Sequence, residues 1–537
     1  MFGIEIERGF TIRMEEAMRS IGIICEYNPF HNGHLRQLRL AREQAGEDCA
    51  LICLMSGNYV QRGEPALFPK SLRAEAALRC GADLVLELPL TAALSSAEGF
   101  AAGGVRILSA LGCDALCFGT ETEDLAALRR SAEANLDPAF DALLRRELES
   151  GSSYAAARQR ALTALGAGEG VSSPNDILAV EYLKALLRQN SPMQPLPIRR
   201  PGSYHAREID AENPSATALR AALSSDCRGG HRPPEDAAPA RRGEHCSSAP
   251  ADPLCRGGHR PPEDATSARR GEHCSSAPAD PPCRGGHRPP EDAASARRGE
   301  HCSSASADPL CRGGHRPPAD PAAFHLCHSE RSEESAPPVP ISRHSERSEE
   351  SASPVSMPVW ASAVPSCLYD LYENAPLHTW QAGERAALAI LRTLPEAAFR
   401  ELPFGAEGLW SKLMKNCRRC ASTAEILENT VSKRYTRARV QRMLLCAVLG
   451  LRAGDLAAPA PYARILGFNQ RGRALLREMK ARFPLVNAGE RPADEAYYAL
   501  ETRASDLYSL FSAAGPRPAG EEDRLRVCIT EGRRPNI

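Results

Sequence analysis

A short segment between Ile21 and His34 restricts the fold of this chain more than any other feature. Residues from Ile21 to Cys25 form an apolar run, which predicts a buried parallel strand. The run breaks at Asn28-Pro29, and a helical pattern begins at about His34. A strand, a tight turn and a helix direct backbone N–H groups and a helix N-terminus at one place, and this arrangement binds phosphate.

Two histidines lie at the predicted helix start, in the string His31-Asn32-Gly33-His34. Imidazoles can donate hydrogen bonds to phosphate oxygens, and a glycine between them lets a nucleotide approach the backbone. Taken alone, the string is equally well explained as a helix N-cap with surface histidines. The surrounding sequence decides between these two interpretations.

That string resembles the HxGH signature of α/β nucleotidyltransferases. Together with the downstream run from Ser56 to Pro65, SGNYVQRGEP, the chain resembles the tRNA(Met) cytidine acetate ligases. The resemblance covers roughly residues 18–222 and 357–537. It implies an enzyme that forms acetyl-adenylate from acetate and ATP. The acetyl group would then pass to N4 of the wobble cytidine of elongator tRNA(Met), giving N4-acetylcytidine.

Short apolar runs alternate with helical patterns after this segment. Further strands are predicted at residues 50–55, 81–89 and 115–121, and another ends at Arg200. Such alternation is typical of an α/β fold with a doubly wound parallel sheet. We therefore predict an N-terminal extension at 1–17, with translation starting at Met14 or Met18, and a nucleotidyltransferase-like ATP-binding domain at 18–222. A mostly α-helical, basic tRNA-binding domain is predicted at 357–537.

Between these domains, at residues 223–356, the composition changes abruptly. The string Cys-Arg-Gly-Gly-His-Arg-Pro-Pro begins at Cys227 and recurs from Cys255, Cys283 and Cys311. This repeat has too few apolar positions to bury a core, so we predict a disordered insertion. Its Cys and His residues lack the paired short spacing of zinc sites. The cysteines elsewhere are scattered, which in a cytosolic chain indicates small buried side chains.

The formal net charge of the whole chain is -1, but the charge is unevenly distributed. Between Glu407 and Lys480 there are fifteen Lys and Arg against five Asp and Glu, interleaved with Trp410, Tyr435 and Phe468. A one-sided, arginine-rich region with aromatic residues is expected of an RNA-binding surface, although a solvated helix face is the ordinary alternative. The tRNA-binding candidates are Lys433, Arg434, Arg437 and Arg439. The region around Ile465 to Gly472 also resembles the family's helical tRNA-binding part.

The remaining site residues follow from the resemblance. His31 and His34 are the catalytic candidates, contacting phosphate in the transition state. The ATP-binding candidates are Ile24, Cys25, Glu26, Tyr27, Asn28, Pro29, Phe30, His31, Asn32, Gly33, His34, Leu35, Arg36, Gln37, Gly119, Asn175 and Arg200. Asn175 is also explained as a helix cap. Ser215, Thr217 and Arg220 begin a helix and are assigned to phosphate, with a simple N-cap as the alternative.

Two cations, Lys70 and Arg73, are predicted to hold triphosphate or the adenylate, with a solvated helix face as the alternative. Magnesium is expected with ATP, but no carboxylate cluster indicates a protein metal site. No apolar run reaches the roughly 20 residues of a membrane span, and the first residues lack the apolar core of a signal peptide. We therefore expect a cytoplasmic protein with no membrane partner, whose oligomeric state the sequence does not set.

Two other functions stay open at this point. The chain could be another HxGH nucleotidyltransferase that adenylylates a small acid or a cofactor precursor without RNA. It could also be a non-catalytic RNA-binding protein with a vestigial nucleotide site. The basic C-terminal region argues against the first alternative, and the intact pattern of His31, His34, Thr217 and Arg220 argues against the second.

Overall fold

The computed structural model describes residues 19–152, 154–167, 171, 173–200, 209–211, 214–226 and 357–531. The predicted extension at 1–17 and nearly all of the predicted insertion lie outside the described residues. All described residues belong to one compact unit. The division into an ATP-binding domain and a tRNA-binding domain stays a prediction.

The strands of the described residues are Ser20–Cys25 (β1), Ala50–Ser56 (β2), Tyr59–Val60 (β3), Glu64–Pro65 (β4), Leu84–Leu88 (β5), Ala115–Thr120 (β6), Gln194–Arg199 (β7), Ala463–Phe468 (β8), Leu485–Asn487 (β9) and Cys528–Ile529 (β10). The α-helices before the insertion are Asn32–Ala45 (α1), Lys70–Arg79 (α2), Leu90–Ala93 (α3), Ala97–Leu111 (α4), Leu125–Ala134 (α5), Pro138–Glu149 (α6), Tyr154–Ala164 (α7), Pro174–Arg188 (α8) and Ala216–Asp226 (α9).

The α-helices after the insertion are Tyr369–Glu373 (α10), Trp380–Thr393 (α11), Glu396–Arg400 (α12), Leu409–Arg419 (α13), Thr423–Thr430 (α14), Arg437–Leu449 (α15), Ala453–Ala457 (α16), Gln470–Arg482 (α17), Glu495–Ser509 (α18) and Glu521–Arg524 (α19). Two short 3-10 helices, Val359–Ala363 and Ser366–Leu368, precede α10. None of the helices in the described part of the chain combines the length and the apolar character that crossing a membrane requires.

The main sheet has eight strands in the order β10-β8-β5-β2-β1-β6-β7, with β9 paired to β8. Five of these strands, β5, β2, β1, β6 and β7, come from the first part of the chain and are parallel to one another. Each coincides with a predicted strand, so the α/β fold with a mostly parallel sheet is confirmed. From β1 the chain moves outward through β2 to β5 and then returns to the other side of β1 at β6. Ligands bind at the carboxyl ends of strands at such a reversal, which here lies between β1 and β6.

The sheet does not end with the strands of residues 18–222. β8 pairs antiparallel with β5, and β9 and β10 each pair parallel with β8. The prediction that Ile465 to Gly472 belongs to a helical tRNA-binding part is therefore wrong for its first half, which is a buried sheet strand. The mostly helical character of the rest of the C-terminal region is confirmed.

Asn469 explains why this C-terminal segment packs against the sheet. Its side chain accepts from Gly472 N at 3.1 Å and so caps α17, and its Nδ2 donates to Asp83 Oδ1 at 2.8 Å. A Cβ atom on Gly472 would lie only 2.0 Å from the carbonyl oxygen of Asp83. A glycine at this position therefore lets α17 pack directly on the backbone that precedes β5.

Both faces of the sheet are covered. One hydrophobic cluster lies beneath α1 and α2 and includes Phe30 and Trp360, and a second lies beneath α4 and α8 and includes Phe100 and Tyr182. A third cluster joins the C-terminal helices to one another through residues such as Val440. Val440, Leu444 and Leu445 of α15 are buried.

A group of five charged side chains, which we call the buried ionic cluster, joins the two parts of the chain. Its members are Lys70, Glu87, Arg464, Glu501 and Glu522, all of which are buried. Lys70 Nζ lies 2.8 Å from Glu87 Oε2 and 2.7 Å from Glu522 Oε1, and Arg464 Nη2 lies 2.8 Å from Glu501 Oε2. Burial alone would lower the pKa of Lys70, but Glu522 and Glu87 outweigh it and raise that pKa. The cluster therefore holds β5, α2, β8, α18 and α19 together through compensated charges.

Candidate active site

The turn after β1 sets the positions of both histidines. His31 is the N-cap of α1, and its Nδ1 accepts from Gly33 N at 3.1 Å. His34 Nδ1 accepts from His31 N at 3.3 Å, and the two rings are stacked with their centroids 3.8 Å apart. Because both Nδ1 atoms are acceptors, each neutral ring carries its proton on Nε2. The N-cap interpretation and the ligand interpretation of these histidines are therefore compatible.

Both histidines are uncharged near neutral pH. Burial lowers the pKa of His31 well below its usual value, and the neighbouring His34, Arg200 and Arg220 lower it further. Burial, with a smaller effect of Arg200, lowers the pKa of His34 to about 3. Two neutral Nε2–H donors beside positive guanidinium groups suit the binding of an anion.

These pKa shifts make the stability of the fold depend on pH. The unfolded chain binds more protons than the folded chain between the ordinary histidine pKa and the lowered one, so the free energy of unfolding falls as the pH falls through this range. For His34 alone we expect the free energy of unfolding to fall by about 2 kcal/mol between pH 7 and pH 5. This free energy changes by roughly 1.4 kcal/mol per pH unit below about pH 6.5. Urea unfolding of the wild type and of His34→Gln at both pH values measures it.

We expect the loss of stability on acidification to be smaller in His34→Gln than in the wild type, since glutamine carries no titrating proton in this range. Arg39→Gln, an exposed change on the same helix, serves as the control and should keep the wild-type loss. Equal pH dependence in the wild type and His34→Gln would contradict the prediction.

The histidines open onto a cavity of about 510 Å³ at the carboxyl ends of β1, β6 and β7. We call it the candidate cavity. Its lining includes the following predicted site residues: Ile24, Cys25, Glu26, Tyr27, Asn28, His31, Gly33, His34, Arg36, Gln37, Gly119, Asn175, Arg200, Ser215, Thr217 and Arg220. The fold thus brings together segments that are up to about 190 residues apart in the sequence, at the reversal of strand order where ligands bind.

Four residues of the predicted ATP-binding run do not line the candidate cavity: Pro29, Phe30, Asn32 and Leu35. The Phe30 side chain is buried in the core behind the turn. Asn32 Nδ2 donates to the carbonyl oxygens of Ala211 and Ser362 at 2.8 and 3.0 Å. The structure therefore places these side chains behind the turn or beside it.

Gly119 and Asn175 form one side of the cavity. A Cβ atom on Gly119 would have no neighbour within 4 Å, so the space above this glycine is open. Ser173, rather than Asn175, caps α8 by accepting from Asp176 N at 3.2 Å. Asn175 Nδ2 donates to Glu121 Oε1 at 3.0 Å from the first turn of the helix. The cap interpretation of Asn175 is therefore wrong, and its amide lies in the cavity wall.

Arg200 and the start of α9 form the opposite side. Arg200 Nη2 donates to the Pro214 carbonyl at 3.2 Å. Ser215 caps the helix, since its Oγ accepts from Ala218 N at 3.4 Å. Arg220 donates to the Asn28 carbonyl at 2.8 Å and to Thr217 Oγ1 at 3.3 Å. Arg220 thereby connects the predicted phosphate-binding helix to the turn that carries His31.

Sequence reasoning overlooked the apolar wall of the cavity, which contains Phe100, Phe118, Ile177, Leu178 and Tyr182. Phe118 precedes Gly119, and Ile177 and Leu178 follow Asn175, so their positions next to predicted site residues were an available signal. An apolar wall that contains aromatic rings, beside an open glycine, suits the faces of a purine.

The turn between β3 and β4 also lines the cavity, through Val60, Gln61, Arg62 and Glu64. Gln61 N donates to Glu26 Oε1 at 2.6 Å. Burial raises the pKa of Glu26, and the hydrogen bond from Gln61 partly offsets this effect. A carboxyl group at this position is available for a metal ion or a proton rather than for phosphate.

The predicted phosphate role of Lys70 and Arg73 is wrong. Lys70 belongs to the buried ionic cluster. Arg73 is fully buried, and its guanidinium donates to the carbonyls of Phe68 and Ser56 at 3.0 and 3.1 Å and also to that of Gly57. Both cations make their polar contacts inside the protein, where they hold the chain in place below the cavity.

The basic C-terminal segment lies next to the cavity rim. Lys433, Arg434 and Arg437 are exposed. Arg434 Nε lies 3.1 Å from Glu407 Oε2, and Arg439 Nη2 donates to the Phe404 carbonyl at 2.9 Å. Arg439 and Arg434 thus have structural contacts, and Lys433, Arg434 and Arg437 are exposed at and before the start of α15.

Later residues of α15 contact the turn that lines the cavity. Gln441 Nε2 donates to Glu64 Oε1 at 2.7 Å. A Cβ atom on Gly63 would lie 2.5 Å from Arg442 N, so only a glycine with its positive φ allows this close approach of two backbones. The basic segment and the candidate cavity are therefore structurally continuous.

The family described as HIGH Nucleotidyl Transferase matches residues 18–248 and 340–523. A tRNA(Met) cytidine acetate ligase of Syntrophotalea carbinolica is 47% identical over 216 residues, which are 38% of this chain and 51% of that protein. One of Acetivibrio thermocellus is 43% identical over 217 residues, which are 39% of this chain and 52% of that protein. The chain thus spans about half the length of the curated relatives it matches.

Two crystal structures of Thermotoga maritima TmcAL are similar in fold. The apo form has a TM-score of 0.66 and 22% identity, and the form described as bound with alpha-thio ATP has a TM-score of 0.63 and 22% identity. Each match covers 96% of this chain and 100% of the other. With the family match over most of its length, the chain belongs to the HIGH nucleotidyl transferase family.

Proposed function

We propose that this protein is an ATP-dependent acetate ligase that modifies tRNA. It joins acetate to the α-phosphoryl group of ATP with release of pyrophosphate, and the acetyl group then passes to N4 of the wobble cytidine of elongator tRNA(Met) with release of AMP. The observation that carries the proposal is the convergence of His31, His34, Arg200, Ser215 and Arg220 on one cavity. The names of the relatives supply the acid and the acceptor.

The hydrogen-bond donors and cations that line the candidate cavity fit a nucleoside triphosphate. The apolar wall and the open space at Gly119 suit the adenosine, and Asn175 supplies an amide beside it. In the first step a carboxylate oxygen of acetate attacks the α-phosphorus, and the bond to the bridging oxygen of pyrophosphate breaks. Negative charge grows on the phosphoryl oxygens, where the Nε2–H groups of His31 and His34 and the N-terminus of α1 can stabilise it.

The leaving pyrophosphate is assigned to the start of α9. Thr217 and Arg220 supply a hydroxyl and a guanidinium, and Ser215 lies at the helix N-terminus. Because Arg220 also bonds the Asn28 carbonyl, the leaving-group side and the histidine side are fixed relative to each other. The protein needs no covalent nucleophile, since its role is to position the reactants and stabilise charge.

Magnesium fits this arrangement as a partner of the ATP phosphates. Within the described ranges, no three His, Cys, Asp or Glu side chains converge on a possible metal position. The two carboxylates that line the cavity are Glu26 and Glu64, and Glu64 is engaged by Gln441. Mg²⁺ commonly binds through one or two carboxylates, water and substrate phosphates. Glu26 is the protein group that would hold it, and the ion would neutralise charge on the triphosphate.

The tRNA surface is assigned to Lys433, Arg434, Arg437 and Arg439 at and before the start of α15. The contacts of Gln441 and Arg442 with the β3–β4 turn support this placement, because an RNA bound along α15 reaches the rim of the cavity. A tRNA substrate implies that the protein acts in the cytoplasm. Arg439 is the weakest member, since its guanidinium already bonds the Phe404 carbonyl.

The test is ATP–pyrophosphate exchange with purified full chain, with and without acetate, followed by acetyl transfer to elongator tRNA(Met) transcript. Acetate-dependent exchange and labelled N4-acetylcytidine are expected. Exchange with a different acid and no tRNA dependence would instead establish a small-acid nucleotidyltransferase. Binding of tRNA without any exchange would establish a non-catalytic RNA-binding protein.

Gly119→Ala tests the nucleotide position. The new methyl group would meet nothing in the free protein, so we expect unchanged stability. We expect ATP affinity to fall by roughly tenfold, or about 1.4 kcal/mol, because the methyl group enters the space assigned to adenosine. Calorimetric titration with ATP measures the effect. The control is Gly454→Ala, which also has open space around its Cβ but lies in α16 and should keep the wild-type affinity. Equal ATP affinity of the wild type, Gly119→Ala and Gly454→Ala would exclude Gly119 from the nucleotide site.

A further inference from the structure

Two cysteines from distant parts of the chain lie side by side outside the candidate cavity. The Sγ atoms of Cys80, at the end of α2, and Cys367, in the 3-10 helix before α10, are 3.8 Å apart. Of the eleven cysteines in the described residues, only Cys367 and Cys528 are not buried. Cys367 is therefore partly exposed to solvent, and the thiol of the buried Cys80 lies against it.

Arg79 holds the backbones that carry these thiols. It precedes Cys80, and its Nη1 donates to the Cys367 carbonyl at 3.1 Å and lies 3.0 Å from Asp370 Oδ2. A disulfide requires an S–S distance near 2.05 Å, so the sulfurs must approach by somewhat less than 2 Å. Because Cys80 follows the last residue of α2 and Cys367 lies in a 3-10 helix of only three residues, side-chain rotation and a small backbone shift can supply this movement.

The chemistry of the pair is asymmetric. The hydrogen bond between the two thiols, together with Arg79, lowers the pKa of Cys367 to about 7, although partial burial acts in the opposite direction. The hydrogen bond to Cys367 and burial raise the pKa of Cys80. The accessible sulfur is thus the nucleophile, and the buried sulfur is the resolving thiol.

We propose that Cys80 and Cys367 form a reversible disulfide by exchange with a low-molecular-weight disulfide. The Cys367 thiolate attacks one sulfur of the small disulfide, giving a mixed disulfide and releasing one small thiolate. Cys80 then loses its proton and attacks Cys367 Sγ, which breaks the mixed bond and releases the second small thiolate. Two protein thiols and one small disulfide become one protein disulfide and two small thiols, and the two protons pass to the released thiolates.

The bond would fasten α2 to the segment that packs behind the histidine turn. In that segment, Tyr372 OH donates to the Phe30 carbonyl at 3.1 Å, and the Ser362 carbonyl accepts from Asn32 Nδ2. Cys80 and Cys367 are 287 positions apart, with the whole predicted insertion between them, so the cross-link closes a very long loop of the unfolded chain. We therefore expect it to raise Tm by at least about 3 °C.

The test uses the reduced full chain, equilibrated in buffers of glutathione and glutathione disulfide and then alkylated and digested without reduction. Mass spectrometry should find a peptide pair linked through Cys80 and Cys367, which dithiothreitol removes. Cys528→Ser, which alters the other cysteine of the described residues that is not buried, should retain the cross-link and the rise in Tm. Cys367→Ser should lose both while keeping the reduced-state Tm.

Three outcomes would overturn the proposal. One is Cys367 carrying glutathione with Cys80 still free, which would mean that the buried thiol does not resolve the adduct. Another is Cys367 linked to a cysteine of the repeat rather than to Cys80. The last is an unchanged Tm in protein that carries the Cys80–Cys367 link, which would show that the bond does not fasten the segment. Cys367→Ser makes each result interpretable even if Cys80→Ser does not fold.

Discussion

Replacing His34 with alanine should reduce acetate-dependent ATP–pyrophosphate exchange by about 10²–10³-fold, the usual effect of removing one donor to a developing oxyanion. The neutral ring of His34 carries its proton on Nε2 and lines the candidate cavity beside His31. Its loss removes a donor that acts where charge grows in the transition state. The decrease should appear in the rate of exchange more than in the affinity for ATP.

His34 also accepts the N–H of His31, so a merely structural loss must be separated from a chemical one. His34→Gln can restore this capping bond, and we expect it to recover stability but not exchange. Arg39→Ala, on the exposed side of the same helix, should keep full activity. Recovery of exchange by His34→Gln, or an undiminished rate of exchange in His34→Ala, would show that His34 has no chemical role in the reaction.

Replacing Lys70 with methionine should lower the free energy of unfolding by about 3–5 kcal/mol, because it leaves Glu87 and Glu522 buried without their common cation. The side chain of methionine fills most of the same volume, so the loss is mainly electrostatic. Urea unfolding at pH 7 measures it. Lys415→Met, at an exposed position on α13, should change stability by no more than about 0.5 kcal/mol.

A loss below about 1 kcal/mol in Lys70→Met would show that the buried carboxylates find another way to be neutralised. The double variant Lys70→Met, Glu522→Gln tests the cause. If the uncompensated charge is responsible, the second change should restore part of the lost stability rather than add to the loss.

The strands of the first part of the chain were predictable because each is a short apolar run bounded by turn residues. Residues 21–25, 50–55 and 115–121 carry this local signal, and the structure places strands there. β8 was missed because its partner β5 is far away in the sequence and because it contains Arg464. An arginine in a sequence indicates a solvent-exposed position unless its buried partners are known. The partners of Arg464 are Glu501 and Glu522, which come from two other helices.

The candidate site, like the sheet, was predictable where the signal is local and was not predictable where it depends on distant residues. The motif around His31 and the helix start at Ser215 were visible as local patterns, and the resemblance connected them. Lys70 and Arg73 were misassigned because a cation in a polar loop has the same local signature whether it faces a ligand or a buried carboxylate. The apolar wall gave no polar motif at all, since Phe118 and Tyr182 are typical core residues until a cavity forms beside them.

The pairing of β8 with β5 also sets an order of events during synthesis. Leu88 and Ala463 are roughly 375 positions apart, so at about 5–20 residues per second the ribosome needs roughly 20–75 s to supply the partner strand. Throughout that time one edge of the growing sheet has open backbone hydrogen-bonding groups and can pair with other chains. Nascent chains stalled before residue 463 should therefore aggregate or recruit chaperones, and chains stalled well after β10 has emerged should not. Similar behaviour at both stall points would mean that the edge is protected by some other segment.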